Sequence, residues 1–412
     1  MTIPEDEPTP DPTPWDVFTP RAPAGELMFI NRTKDKLGER LEHALNELGA
    51  QIIVYGDTGV GKTSLVARIG GDRVARVECQ DAKSFRDLLL DAFGALGVVQ
   101  ELRFAETHEK ASEAGAEMSG GLGYIASLKA RLSTKVGEKA TREFEVTQQP
   151  LIDVLIEAMV DAGKHILFFD NFENIKDEGV RRSIAELMVA LSDRARESGN
   201  VKIVLAGIAE SATDLLHLSD SAARRAAEVS AGTMSPREIA EIVTRGMGLL
   251  GIAIGPDEVE LIARLSAGYP YVAHLISLYA ALGASDAGKE VTPAVLEEAI
   301  AKAVDDFHLD FSTRYRRAVE QSGGVRPRRR ILHALAESDL ADFDFDEALA
   351  AVKAKYGGET AYTYFNAAIG ALCTENHGSL LRKRSLRGKN RYSFQNPLAR
   401  AFIRLIDASS SP

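Results

Sequence analysis

The sequence predicts an α/β fold, a doubly wound parallel sheet followed by an all-α lid and a C-terminal winged-helix domain. Three observations predict it. A glycine loop, "GDTGVGKT" from Gly56 to Thr63, lies between a short apolar run and a helical pattern. Further short apolar runs alternate with helical patterns, as in a parallel sheet whose strands are joined by crossover helices. After "AEVSAGTM" the pattern turns to helices only, and the chain closes on three helical patterns and a basic hairpin.

The opening "MTIPEDEPTPDPTPWDVFTPRAP" holds seven of the 15 prolines among acidic residues, the composition of a disordered, extended tail. Leucines and alanines then recur at helical spacing from Arg32 to Leu48. "QIIVYG" follows as a buried strand closed by glycine. More strands are expected over 74–77, 165–169 and 201–205. The segment 106–149, rich in Gly, Ala, Ser, Lys and Glu, fits no element and is expected to be an insertion. In "SPRE", Ser235 can cap a helix with proline at its first position and Glu238 returning the bond. Helices are expected over 256–266, 270–282 and 293–306, and again over 327–337, 345–355 and 361–373. On the last of these, Phe365, Ala368, Ile369 and Leu372 share one face. "LLRKRSLRGKNRYSFQ" reads as two strands around a turn over 387–390, where Gly388 can take positive φ. The expected division is a tail over 1–24, a core over 25–233, a helical lid over 234–308 and a winged-helix domain over 309–408.

The chain of 412 residues is long enough for two or three domains, and its 45% hydrophobic content supports buried cores. No apolar run reaches the roughly 18 residues of a membrane span, and no basic-then-apolar leader opens the chain, so no membrane association and a cytoplasmic location are expected. Cys79 and Cys373 are the only cysteines, too few for a disulfide framework or a cysteine zinc site. The net charge of −11 excludes indiscriminate nucleic-acid binding by the whole surface. From Thr313 to Pro412, however, 17 Lys and Arg face 10 Asp and Glu, so the last quarter is basic.

"GDTGVGKT" fits G-x-x-x-x-G-K-[ST] in the strand–loop–helix setting that gives the motif meaning, so the core reads as a P-loop NTPase. Backbone N–H groups of Gly56, Asp57, Thr58, Gly59, Val60 and Gly61 would turn toward phosphates at a helix N-terminus. Lys62 would reach the β- and γ-phosphates and the Thr63 hydroxyl would help hold Mg²⁺, with Ser64 beside them. ATP and Mg²⁺ are the expected cofactors. A second magnesium-side ligand belongs at the tip of a neighbouring buried strand, and Asp170, at the end of "HILFFD", suits it. The next residue, Asn171, cannot take a proton, which leaves Glu173 to polarise water.

These residues resemble the AAA+ and STAND ATPases. Asp170, Asn171 and Glu173 in "FDNFEN" are similar to the D-N-x-E form of the second acidic motif of bacterial STAND proteins. "FINR" resembles the F-V-G-R box that receives adenine, which implies Phe29, Ile30 and Arg32, with asparagine in place of the glycine. "GYP" is similar to the G-x-P motif of the STAND lid, which implies Pro270 near the nucleotide. Arg224 and Arg225 stand where AAA+ proteins carry an arginine finger for a neighbour's γ-phosphate, which implies homo-oligomers. "LAGIAES" lacks the polar sensor residue of that strand end unless Glu210 or Ser211 serves. "RYSFQNPLARAF" is similar to the closing segment of archaeal-type ATPases, so the resemblance spans about Asp16 to Leu405. STAND proteins usually carry effector or sensor domains; here the chain ends after the wing, so a protein partner acting in trans is expected.

The leading expectation is an ATPase that binds ATP firmly, hydrolyses it to ADP and phosphate slowly and acts as a switch. The alternative is a DNA-binding AAA+ ATPase of the origin-recognition or transposon target-selection type. For that reading the wing offers Arg382, Lys383, Arg384, Arg387, Lys389 and Arg391. A kinase has no natural place for the lid and winged helix. A GTPase lacks its N-K-x-D motif, and "HEKAS" lacks the second histidine of a zinc protease.

Overall fold

The computed structural model describes residues 11–33, 35–98, 152–209, 211–216, 220–286, 288–307, 309–320, 327–338, 340–357, 362–386 and 388–409. The expected insertion over 106–149 lies outside them, as do Glu210 and Arg387. The chain divides into two compact units. One holds 35–56 and 62–231; the other holds the N-terminus to Lys34, the loop Asp57–Gly61 and everything from Gly232.

The first unit is built on β1 (Gln51–Tyr55), β2 (Val74–Glu78), β3 (Ile166–Asp170), β4 (Lys202–Gly207) and β5 (Ala226–Ser230). They form a parallel sheet in the order β2-β3-β4-β1-β5. α1 (Leu37–Asn46), α2 (Lys62–Gly70), α3 (Phe85–Ala95) and α4 (Glu178–Asp193) accompany it. The sheet forms because β1, β3 and β4 are near-continuous apolar runs, the pattern of strands covered on both faces. The outer strand β2 alternates buried and exposed residues. Parallel register places Val77 against Phe169 and Glu78 against Asp170, so the aspartate stands at the strand's last position. The expected strands thus form, each shifted by a residue or two at its ends.

Gln51, Asp170 and Lys202, all buried, break the apolar rule at the strand ends. Lys202, 1% exposed, begins β4 and donates to the carbonyl of Glu47. Burial pushes its amine down to about 8 from the ordinary 10.5. Between those values the unfolded chain holds a proton that the folded chain has released, so stability rises with pH across that window and the gain is lost as pH falls through 8. Denaturant melts from pH 7.5 to 10.5 should show wild type gaining up to about 3 kcal/mol over Lys202→Met, each pK unit being worth about 1.4 kcal/mol. Parallel curves for the two proteins would refute the assignment.

The second unit corrects the expected tail over 11–24, while residues 1–10 of it lie outside the described ones. Prolines and acids over 11–24 read as disordered, yet Pro14–Val17 forms a helical turn, with Thr13 and Asp16 exchanging a capping box at its start. Phe18 is fully buried, edge-on to His274 at 5.9 Å. A side chain at Gly246 would meet its ring at 2.3 Å, so glycine makes the space. The Thr19 N–H donates to His274 Nδ1, and Arg21 pairs with Asp306 at 2.8 Å. Composition averages hid this because a single aromatic anchor and one cap are enough to hold a short segment.

The helical part comprises α5 (Pro236–Leu249), α6 (Pro256–Leu265), α7 (Pro270–Asp286) and α8 (Pro293–Asp306). The expected cap is present: the Glu238 N–H donates to Ser235 Oγ and the Ser235 N–H to Glu238 Oε2. A two-residue parallel pair, β6 (Ala253–Ile254) with β7 (Glu290–Val291), was not legible in the sequence, nor was α9 (Leu309–Val319). Then come α10 (Pro327–Glu337), α11 (Phe345–Tyr356), α12 (Tyr362–Ala371), the antiparallel strands β8 (Leu381–Leu386) and β9 (Lys389–Phe394), and α13 (Ala399–Ser409). Phe365, Ala368, Ile369 and Leu372 are all buried, as their spacing predicts. The turn is tighter than expected, since Leu386 already pairs with Lys389 and Gly388 takes φ +80°. Phe343 bridges Tyr392, adding a third extended segment beside the hairpin.

The boundary expected at 308–309 is not a gap in the packing. Phe307 packs on Phe311 at 5.4 Å and on Phe402 at 5.2 Å, and Tyr315 meets the same Phe402 ring. The helices after the sheet therefore form one body with the C-terminal elements. Among the described residues no helix is long and apolar enough to cross a membrane.

Candidate functional site

Strand β1 stops at Gly56 because the chain must turn there in a way only glycine allows. Gly56 has φ +151°, and a Cβ on it would lie 2.1 Å from the carbonyl oxygen of Ala231. Gly59 and Gly61 also take positive φ, at +73° and +91°. Helix α2 starts at Lys62, whose Nζ donates to the Gly56 carbonyl at 3.0 Å. Thr63 and Ser64 follow in its first turn, both half-buried.

The structure brings Thr63 and Asp170 together. The Thr63 hydroxyl lies 3.1 and 2.9 Å from the two carboxylate oxygens of Asp170, although β4 separates their strands. Asp170 is 1% exposed, yet its charge is well matched. Arg76 Nη2 reaches it at 2.7 Å and the Asn171 N–H at 3.1 Å. Sequence reading missed Arg76. The available signal was a cation inside the short apolar pattern "VARVE" of β2, but which carboxylate it meets depends on β2 pairing with β3.

Asn171 has a structural reason to be asparagine. It takes the left-handed conformation, φ 56°, which asparagine tolerates better than most residues. That turn opens a short 3-10 helix, Phe172–Asn174, pinned by the fully buried Phe172. Glu173 is thereby turned to the end of β4, where its Oε2 accepts the Ile208 N–H at 3.0 Å. A Cβ at Gly207 would come within 2.9 Å of the same oxygen, so glycine at that strand end leaves room for the carboxylate. Cys79 is buried nearby, and burial pushes its thiol up to about 12, so it stays protonated.

In the second unit, Arg32 is 7% exposed and donates to the carbonyls of Val60 and Gly232. Its role there is to brace the loop backbone. Ile30 is buried and Phe29 half-buried, with the Phe29 carbonyl accepting from Arg245 at 2.9 Å. Pro270 begins α7, and its Cγ lies 3.9 Å from where a Cβ on Gly61 would stand.

Other expected residues fall elsewhere. Arg224 is exposed, whereas Arg225 is held by Asp193 at 2.6 Å and by Ser221 at 2.7 Å, which leaves it poorly placed to serve as a finger. Ser211 accepts from the Asp214 N–H as a helix cap, so its hydroxyl is used locally. On the hairpin, Lys383 and Lys389 are exposed, but Arg382 donates to Ser393. Arg391 pairs with Asp342 at 2.5 Å and Glu347 at 3.1 Å, while Arg384 stands opposite Arg391 in the ladder. Among the described residues no cluster of three or more His, Cys, Asp or Glu could hold a metal by itself.

Residues 34–204 match the AAA ATPase domain family. No curated protein matches the chain. Among solved structures, the Walker-type ATPase PABY2304 of Pyrococcus abyssi is similar over 92% of this chain and 99% of its own, at 18% identity and a TM-score of 0.50. Cdc6p of Pyrobaculum aerophilum is similar over 95% and 98%, at 13% identity and TM-score 0.45. The ORC1 protein of Aeropyrum pernix, solved in complex with DNA, is similar over 96% of each chain, at 15% identity and TM-score 0.45. The first of these shows the fold, an α/β P-loop core followed by a helical C-terminal region.

Proposed function

We propose that this chain, which carries an AAA ATPase domain over residues 34–204, hydrolyses ATP slowly and works as a nucleotide-controlled switch. The observation that carries the reading is the Thr63 hydroxyl set against the Asp170 carboxylate. These are hard oxygen donors, and Mg²⁺ is usually bound by one or two such protein groups together with substrate phosphates. Thr63 and Asp170 would hold the ion, which would neutralise charge on the phosphates. Lys62 binds the β- and γ-phosphates. Glu173 orients the attacking water and accepts its proton, with one carboxylate oxygen already engaged by Ile208. Asn171 cannot share that task, which supports a low rate.

The switch reading is supported by the membership of the loop Asp57–Gly61 in the same packed unit as the helices from Gly232 onward. A change in the loop on binding is felt by those helices. Hydrogen exchange over 232–409 should therefore differ between the ATP-bound and ADP-bound protein. Identical protection in the two states would remove the switch.

Arg224, exposed before β5, is the residue we assign as the finger in a homo-oligomer, and a protein partner acts as effector or sensor in trans. A second reading, DNA contact through the C-terminal winged helix, has the exposed Lys383 and Lys389 in its favour. Against it stands the neutralisation of Arg391 by acids of the same unit. Salt-dependent duplex binding that vanishes in the triple variant Arg382→Ala, Lys383→Ala, Arg384→Ala would establish the second reading.

A further inference from the structure

We infer that Tyr269 is a positioning residue for the phosphate loop, its hydroxyl holding the Asp57 carboxylate and with it the loop conformation that receives nucleotide. The inference rests on the ATP-binding reading above and names a residue that reading does not use. Three consecutive residues oppose the loop in turn. Tyr269 Oη donates to Asp57 Oδ2 at 3.2 Å. Pro270 faces Gly61, and the Cβ of Tyr271 stands 3.3 Å from where a Cβ on Gly59 would lie, with Leu398 at 3.5 Å on the same spot. Two of these contacts are contacts of shape. The tyrosine hydroxyl is the one that addresses a charge.

The corner that carries Tyr269 is rigid. Gly268 takes φ +80°, and a Cβ there would meet the Met234 carbonyl oxygen at 2.6 Å. The Met234 N–H donates to the Gly268 carbonyl at 2.8 Å, and the Tyr269 N–H to Ser266 at 2.8 Å. Tyr269 is 4% exposed, so its ring cannot swing away without breaking this packing. Burial, and next the Asp57 charge, push the phenol above its ordinary value, which keeps it a donor. A carboxylate in a loop that must accept phosphates is a repulsive neighbour if it wanders. Fixing it with a buried neutral donor limits the loop to fewer conformations, and a ligand that needs one of them then binds more tightly in proportion.

The test is a double-mutant cycle on the full chain, with ATP and ADP affinities measured by titration for wild type, Tyr269→Phe, Asp57→Ala and the double variant. Phenylalanine keeps the ring and its packing. Tyr269→Phe should weaken ATP binding about fivefold or more in the wild-type background, the low end of ordinary couplings between sites. In the Asp57→Ala background the same change should have almost no effect. Equal losses in both backgrounds, or no loss in the wild type, would overturn the inference. A wild type that binds nucleotide no better than Lys62→Ala would instead overturn the ATP-binding reading on which it rests.

Discussion

Lys62→Ala should lose about a hundredfold or more in ATP affinity while keeping its fold, because charge-assisted bonds to phosphate are worth about 1.5–3 kcal/mol each and lysine supplies more than one. The cost to the protein itself is smaller. Within the first unit the ammonium donates to the Gly56 carbonyl at 3.0 Å from a half-buried side chain, and a bond of that kind contributes about 1 kcal/mol. Binding should therefore collapse with a thermal midpoint only a few degrees lower. The measurement is a nucleotide titration beside a melting curve. Wild-type affinity in the variant would sink the ATP-binding reading, whereas a variant unable to fold would give Lys62 a structural weight larger than its bond to the Gly56 carbonyl explains.

Glu173→Gln should separate binding from chemistry. The amide oxygen of glutamine can still accept the Ile208 N–H, so the short turn after Asp170 and the end of β4 should keep their geometry. What disappears is the proton acceptor. Turnover should fall by about a hundredfold or more, the usual contribution of a positioned general base, with ATP affinity essentially unchanged. Unchanged turnover would move the base elsewhere and leave Glu173 as a brace for the strand end. Asp170→Asn makes a useful contrast, since it removes the charge that meets Arg76 and that would help hold Mg²⁺, and should lower both affinity and stability.

The sequence by itself determined most of the elements and the candidates for the chemistry. Apolar runs too short for helices, closed by glycine or an acid, marked β1 and β3. A spacing of two glycines and a lysine marked the glycine loop, and Asp170 and Glu173 became candidates from their places at and after the end of a buried strand. Such features are local: they depend on backbone freedom at Gly56 and on hydrophobic runs a few residues long. The helices after the sheet were legible for the same reason, since proline and a capping residue write the start of α5 in adjacent letters.

Only the tertiary structure decided which groups meet. The insertion of β4 between β1 and β3 sets the geometry in which Thr63 reaches Asp170, and the pairing of β2 with β3 delivers Arg76 to the same carboxylate. Ile208 fixes Glu173, Phe18 anchors the proline-containing segment 11–24, and acids on another segment neutralise Arg391. Tyr269 and Asp57 lie 212 residues apart in the chain and 3.2 Å apart at the bond. Charge and hydrogen bonding act over a few ångströms of space, and the distance along the chain says nothing about them until the core has packed.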